Sequence, residues 1–355
     1  MKLMNLIQRI KPMQRIKSIK PVKRRKPTRT FKKVKQEDQM KTKPIIALVI
    51  ITVSLAIMVT LLKSAHQHQL TDTAFGETVT IRARGWGVGG RVRAAMERIH
   101  EIEARMSLES PTSDITRINR GEPYWGNPDT IRVANRGIFF GDFSDGLFDI
   151  SINPILELYE RVPSPSAAAI TAARNVVDYR RLEVHRSLPQ GMSLNINALA
   201  KGYAADEAAL LLRRSGVRNL QIDMGNVVVA FGQPYWPIRL LEHAHRLEIP
   251  PNTVGGRNAG IASFGLEREG SHRFDPRTGM VVSNNVVNAT AIASSGMDAV
   301  ALAQFLFVAD VEGLASLDEL QAHGIIITRD HRIVATRDIN IRVTNPAYRY
   351  EGERR

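Results

Sequence analysis

The sequence predicts an α+β protein: a mixed α/β body preceded by one membrane-spanning helix. Three observations predict it. One uninterrupted apolar run lies near the N-terminus. The segments after it switch between a hydrophobic period of two and one of three to four. They do so without the regular strand–helix–strand alternation that builds a parallel sheet.

The 355 residues carry a formal net charge of +14. Residues 1–43 hold 16 Lys or Arg against only Glu37 and Asp38, while the remainder holds 33 basic and 33 acidic residues. The positive charge therefore belongs to a tail. The neutral body lacks the electrostatic footprint of a nucleic-acid-binding domain, and no nucleic-acid partner is expected. Residues 44–62 contain no charge, and their length suits a helix crossing a hydrocarbon core of about 30 Å. Lys and Arg resist translocation, so the tail stays cytoplasmic, against anionic headgroups, and the body lies on the far side. The organisation read from these shifts is a basic tail over 1–43, a transmembrane helix over 44–62, a polar linker over 63–74, a folded domain over 75–345 and a second tail over 346–355. With no cysteine, the chain has no disulfide, no thiol chemistry and no cysteine-linked lipid anchor.

Within the body, Val79, Ile81 and Ala83 alternate with Thr78, Thr80 and Arg82, which predicts a strand. Val92, Met96, Ile99, Ile102 and Met106 then recur at helical spacing. Between them lies Gly85-x-Gly87-x-x-Gly90. It imitates a dinucleotide-binding fingerprint, but no parallel strand with a ribose-binding acid follows, so it reads as a turn. Ala198–Arg214 predicts a helix entered through Asn197, and Asn219–Phe231 predicts paired strands. Ile261–Phe264 and Val286–Ala293 predict further strands, and Asp298–Val308 an apolar helix. Ile325–Ala335 predicts a hairpin turning at Asp330-His331.

Three clusters carry chemistry. Ser271–Gly279 packs an imidazole, a carboxylate, guanidinium groups and hydroxyls into a turn punctuated by Pro276 and Gly279. Lys201 opens a helix beside Gly202, where backbone N–H groups and the helix dipole favour an anion. Asp298 stands at the mouth of the apolar helix, as an N-terminal carboxylate or an oxygen donor to Mg²⁺.

Taken with Met106-Ser107, Ser113-Asp114, Asn119, Ser144-Asp145-Gly146-Leu147-Phe148-Asp149, Ala198–Asp206, His272–Gly279 and Asp298-Ala299, the sequence resembles the FAD:protein FMN transferase family, the ApbE-like flavin transferases, over roughly residues 75–340. The resemblance implies Mg²⁺-dependent transfer of FMN from FAD to a Thr or Ser hydroxyl of a target protein, with AMP released. It implies an acceptor with an Asp-x-x-Ser/Thr-Gly-Ala-Ser/Thr motif on a membrane redox subunit, and a catalytic domain on the periplasmic side of a bacterial inner membrane. It makes His272 the base and Asp275 the residue that orients it. It makes Lys201, Asp206, Met106, Ser107, Arg277 and Thr278 cofactor-binding, with the metal on the Ala198 carbonyl and the Asp298 carboxylate. The chain departs from the family pattern at Leu302, where a hydroxyl ligand belongs, and at Glu109, Asn195, Gly225-Asn226-Val227 and Ala262–Gly265. A degenerate relative that binds FAD without transferring it is the alternative these departures raise.

Overall fold

The computed structural model describes residues 46–59, 67–122, 126–232, 238–241, 245–247, 259–265, 273–337, 339 and 349–353. The chain divides into Met1–Thr60 and Leu61–Arg355. In the first unit, Ile46–Val59 forms helix α1, inside the range predicted to span a membrane. Its large apolar side chains are mostly more than half exposed, from Ile46 and Leu48 to Ile57 and Met58.

The second unit is built on strands β1 (Gln67–Ala74), β2 (Glu77–Arg84), β3 (Asn219–Asp223), β4 (Val227–Phe231), β5 (Ile238–Leu241), β6 (His245–Leu247), β7 (Ala259–Gly265), β8 (Val286–Ala293), β9 (His323–Thr328), β10 (Arg332–Ala335) and β11 (Arg349–Glu353). Nine of these make one sheet in the order β1-β2-β3-β4-β7-β8-β9-β10-β11, while β5 and β6 pair as a separate hairpin. Every neighbouring pair is antiparallel except β10 with β11. The helices are α2 (Gly89–Met106), α3 (Asp114–Asn119), α4 (Pro128–Phe143), α5 (Asn153–Arg161), α6 (Ala167–Arg174), α7 (Asn197–Arg214) and α8 (Gly296–Ala309), the last continued by a 3-10 segment, Asp310–Leu320. An antiparallel sheet with helices packed upon it is the α+β class predicted.

Two boundaries differ from the sequence reading. The linker assigned to 63–74 contains β1, and the tail assigned to 346–355 contains β11. Both are edge strands. Almost every residue of β1 is exposed on both faces, so it lacks the alternation that a half-buried strand shows; its order comes from the backbone ladder with β2.

Helix α7 packs between α2 and α8, and all three lie on the sheet, α2 on β1 and β2, α7 on β3 and β4 and α8 on β7 and β8. The stretch Gly296–Leu320 is long and apolar enough to cross a membrane, but over half of it is buried inside the body. Leu302, Leu306 and Phe307 are at most 2% exposed, and each such side chain stabilises the fold by about 1.5–3 kcal/mol. This is a core helix.

The first turn of α8 is held by close backbone approach. A Cβ on Gly202 of α7 would lie 2.7 Å from the Gly296 carbonyl oxygen and from Met297 backbone atoms. A Cβ on Gly260 of β7 would lie 2.1 Å from the Ser295 carbonyl carbon. Backbone cannot yield as a side-chain tip does. Gly202→Ala is therefore expected to cost about 1–3 kcal/mol by forcing α7 and α8 apart. Urea denaturation checks this, and an unchanged midpoint would refute the close approach.

Candidate functional site

Two of the motifs read from the sequence, those of Lys201 and Asp298, lie on the N-terminal halves of α7 and α8, which adjoin through Gly202. Asn119 at the end of α3 brackets Leu194, donating to its carbonyl at 2.9 Å and accepting its N–H at 2.7 Å. The Asn195 N–H donates to the Ile150 carbonyl at 2.7 Å. Those bonds lock the chain entering α7 to the two earlier motifs. Within the second, Asp149 accepts from the Ser151 N–H and hydroxyl and from the Tyr179 N–H. Its carboxyl is pushed above the ordinary carboxylate range by burial, against those donors. Asp114 accepts from the Thr130 hydroxyl at 2.7 Å. These acids brace the fold.

Lys201 was expected to face an anion. It is 7% exposed, and its ammonium donates to Glu77 Oε1 at 2.6 Å and to Asn226 Oδ1 at 3.0 Å. Asn226 also donates to the Ser263 carbonyl and accepts the Ser263 N–H through its own carbonyl. A buried lysine needs such a partner. Glu77 carries no sequence signal: it is one acid at the start of a strand whose partner lies 124 residues away.

Asp206 was expected to touch the dinucleotide. It caps α8: one oxygen accepts the Gly296 N–H at 2.6 Å and the other the Met297 N–H at 3.0 Å. Removal from water, aided by the charge of Asp298, pushes its carboxyl up to about 7 against those two donors. Met106 is part of the core. Its side chain is 0% exposed. Ser107 is half-buried, with its hydroxyl accepting the Glu109 N–H at 3.2 Å.

Asp298 lies in the first turn of α8 behind the N-cap Ser295, whose hydroxyl accepts its N–H at 3.1 Å. Its carboxylate is gripped by a forked pair from α4, with Arg136 Nε on Oδ1 at 2.7 Å and Nη2 on Oδ2 at 2.8 Å. The guanidinium is also stacked on Phe139 and Phe140, 4.1 and 4.7 Å from the ring centroids. An open groove beside it is lined by Pro128, Ile131, Arg132, Asn135, Arg136, Phe139 and Met297. The sequence reading missed Arg136. Its signal was Arg132 and Arg136, one helical turn apart on a helix otherwise rich in apolar side chains.

The donor set does not fit Mg²⁺. The ion wants near-octahedral oxygens. Asp298 is already paired, Asp206 has both oxygens on backbone N–H groups, and Leu302 is apolar and 0% exposed. Ala198 is half-buried at the start of α7. Among the described residues no group of three or more His, Asp or Glu is arranged to hold a metal.

The turn after His272 forms its own unit; His272 itself lies outside the described residues. The Asp275 carboxylate accepts the Arg277 N–H at 2.9 Å, and its carbonyl accepts the Gly279 N–H at 2.8 Å. Gly279 has φ +70°, which favours glycine. Asp275 thus shapes the turn. Arg277 and Thr278 are exposed on it, and the Arg277 carbonyl accepts from Arg174 Nε at 2.8 Å. Arg277 also packs over Gly146, joining this turn to the Ser144–Asp149 motif. The backbones bearing Lys201 and Asp298 adjoin through Gly202, yet their side chains engage different partners, and Lys201 is not among the residues lining the groove beside Arg136.

An α+β body with its acids and cations gathered on two adjoining helix starts has counterparts among known proteins. The chain belongs to the ApbE family, whose model matches residues 75–326. It is 23% identical over 298 residues to the FAD:protein FMN transferase of Vibrio cholerae, covering 75% of this chain and 89% of that protein. With the FAD:protein FMN transferase of Treponema pallidum it shares 24% over 322 residues, covering 78% and 89%. In structure it is similar to the flavin transferase ApbE of Vibrio cholerae, with a TM-score of 0.65 at 21% identity, covering 79% of this chain and 97% of that one. The ApbE protein of Thermotoga maritima gives a TM-score of 0.66 at 21% identity over the same shares, 79% and 97%.

The raised carboxyl of Asp206 generates a test. Between the ordinary value of 3.8 and about 7 the native chain holds a proton that the unfolded chain releases. Stability through this group is therefore greatest below the lower value and falls as pH rises through the window. Asp206→Asn has no such proton. Its loss of stability relative to the parent is expected to be larger near about pH 4.5 than near about pH 8. Urea midpoints of both proteins at each pH measure the gap, and an equal gap would refute the assignment.

Proposed function

We propose that this chain transfers the FMN half of FAD to a Thr or Ser hydroxyl of a target protein and releases AMP. The observation that carries the reading is family membership over residues 75–326, with relatives named for that activity. In this reaction the acceptor oxygen bonds to the flavin-side phosphorus, the bond from that phosphorus to the bridging oxygen breaks, and AMP leaves with that oxygen. The hydroxyl proton passes to a base. His272 is the base in this proposal, and Asp275 serves by fixing the turn that follows it. Arg277 and Thr278 are exposed on that turn and suit phosphate oxygens. Lys201, held by Glu77 and Asn226, supplies a fixed positive charge near the start of α7, and Ser107 supplies a half-buried hydroxyl. Asp206 contributes by setting the first turn of α8. The Mg²⁺ dependence implied by the family resemblance finds Asp298 already paired with Arg136, so no step is routed through an ion.

The membrane reading belongs to the same proposal: single-pass in a bacterial inner membrane, tail cytoplasmic, body periplasmic, acceptor a membrane redox subunit with the Asp-x-x-Ser/Thr-Gly-Ala-Ser/Thr motif. Its support is the exposed apolar surface of α1 behind a basic tail. A second reading, FAD binding without transfer, is favoured by one observation, the apolar Leu302 beside an occupied Asp298.

The test is to incubate the full chain in detergent with FAD and an acceptor protein bearing the motif. Flavin fluorescence that stays with the denatured acceptor, together with free AMP, is the expected result. His272→Ala is expected to slow transfer by about 10²–10⁴-fold with FAD still bound. Bound FAD without any transfer would leave the second reading standing.

A further inference from the structure

The pair between Arg136 and Asp298 is more than a surface ion pair. The Asp298 side chain is 15% exposed and Arg136 29%. Both carboxylate oxygens are engaged, by Nε and Nη2 of one guanidinium. The Phe139 and Phe140 rings hold that guanidinium from the side. This is the geometry in which arginine outcompetes other cations: planar, forked, weakly hydrated and stacked on aromatic faces. A divalent ion arriving at Asp298 would have to break two charge-assisted hydrogen bonds and two cation–π contacts. It would gain one carboxylate and no oxygen from Leu302. The remaining guanidinium nitrogen, Nη1, takes no part in the fork. One turn earlier on α4, Arg132 has a side chain 62% exposed, with Nη1 3.7 Å from Glu207 Oε1 and donating to the Tyr203 hydroxyl at 3.4 Å, so a diphosphate would compete with one loose ion pair there; both arginines line the same groove beside Met297.

We propose that Arg136 is a fixed cation standing on Asp298 where a divalent ion would bind, and that with Arg132 it presents a metal-independent surface for the diphosphate of a dinucleotide. The proposal rests on the FAD reading above only for the identity of the ligand; the replacement of the metal by the guanidinium stands on the pair itself. The consequence is a change of charge. Asp298 with a divalent ion carries a net positive charge, whereas Asp298 with Arg136 is neutral. The attraction for phosphate then comes from Arg136, through the nitrogen outside the fork, and from Arg132, both of which line the groove.

Two measurements on the full chain in detergent test it. The first follows free Mn²⁺ by its electron paramagnetic resonance signal. The wild type is expected to bind no Mn²⁺ beyond what Asp298→Asn binds. The Arg136→Ser, Leu302→Thr double variant frees the carboxylate and returns an oxygen, and is expected to bind Mn²⁺ at least about tenfold more tightly, the scale set by charged hydrogen bonds. A wild-type Mn²⁺ site abolished by Asp298→Asn overturns the proposal. So does a folded double variant that gains no site. The wild-type titration decides the matter even where the variant does not fold. The second measurement is FAD binding, followed by flavin fluorescence, in EDTA and then in Mg²⁺. Affinities equal within about twofold are expected, together with a loss of about tenfold or more in EDTA for Arg136→Met. A rise of about tenfold on adding Mg²⁺ to the wild type overturns the proposal. Failure of FAD to bind under either condition removes the dinucleotide half of the proposal and the flavin reading with it, while the Mn²⁺ arm still judges whether Arg136 replaces the metal.

Discussion

The geometry of the site depends on one steric constraint, the approach of three backbones at the first turn of α8. Gly202 on α7, Gly260 on β7 and Gly296 in α8 itself allow helix, strand and helix to meet at distances no Cβ would permit. Asp206 then uses that proximity. Its two oxygens take two of the N–H groups that a helix start leaves without an intrahelical partner. The arrangement fixes where Asp298 points, because Asp298 is two residues beyond the first capped N–H and is held in turn by Ser295. Removing the close approach would displace the cap, and displacing the cap would move the carboxylate that Arg136 grips. Steric fit, capping and charge placement are thus successive consequences of three missing side chains.

The charges around this turn are distributed in pairs. Lys201 answers Glu77, Arg136 answers Asp298, and Arg98 answers Asp129 at 2.7 Å, with Tyr203 donating to the same carboxylate at 2.7 Å. Asp129 is held below the ordinary carboxylate range by these partners, against the cost of its burial. Desolvated charges are tolerated because each has a partner, not because pairs in themselves stabilise much. Functionally the pairing matters more than the energy. A site in which every acid near the helix start is occupied by an arginine, a lysine or a backbone donor has little oxygen left over for a cation, which is why the family resemblance and the geometry part company at Asp298.

Much of the fold was legible in the sequence because it is written in periodicity. The α2 stripe, the α7 run, the β8 strand over Val286–Ala293 and the hairpin turning at His331, with φ +61°, are all where hydrophobic spacing and turn residues put them. Legibility failed where burial is not periodic. The β1 and β11 edges carry polar residues, so they imitate linker and tail. Site residues split along the same line. Lys201 and Asp298 were visible as charges beside glycine at helix starts. Glu77 and Arg136 were not, since neither stands at a helix start and only the fold brings each to its partner. The motif carboxylates Asp206, Asp149 and Asp275 were visible, but not the backbone N–H groups they engage, which only the folded chain brings to them.

The two apolar helices show why composition alone does not assign an environment. Helix α8 and its continuation pass the length and hydropathy test for a membrane span, and their apolar surface is spent on the sheet and on α7. Helix α1 is shorter within the described residues, yet its apolar side chains lie open, with Leu48 62% and Ile51 61% exposed. The deciding quantity is where the apolar area goes, not how much there is. For α8 it goes into the core that positions Asp298. For α1 the exposure leaves its destination to the proposal above, in which the basic tail preceding it supplies the charge asymmetry that orients a chain across a membrane.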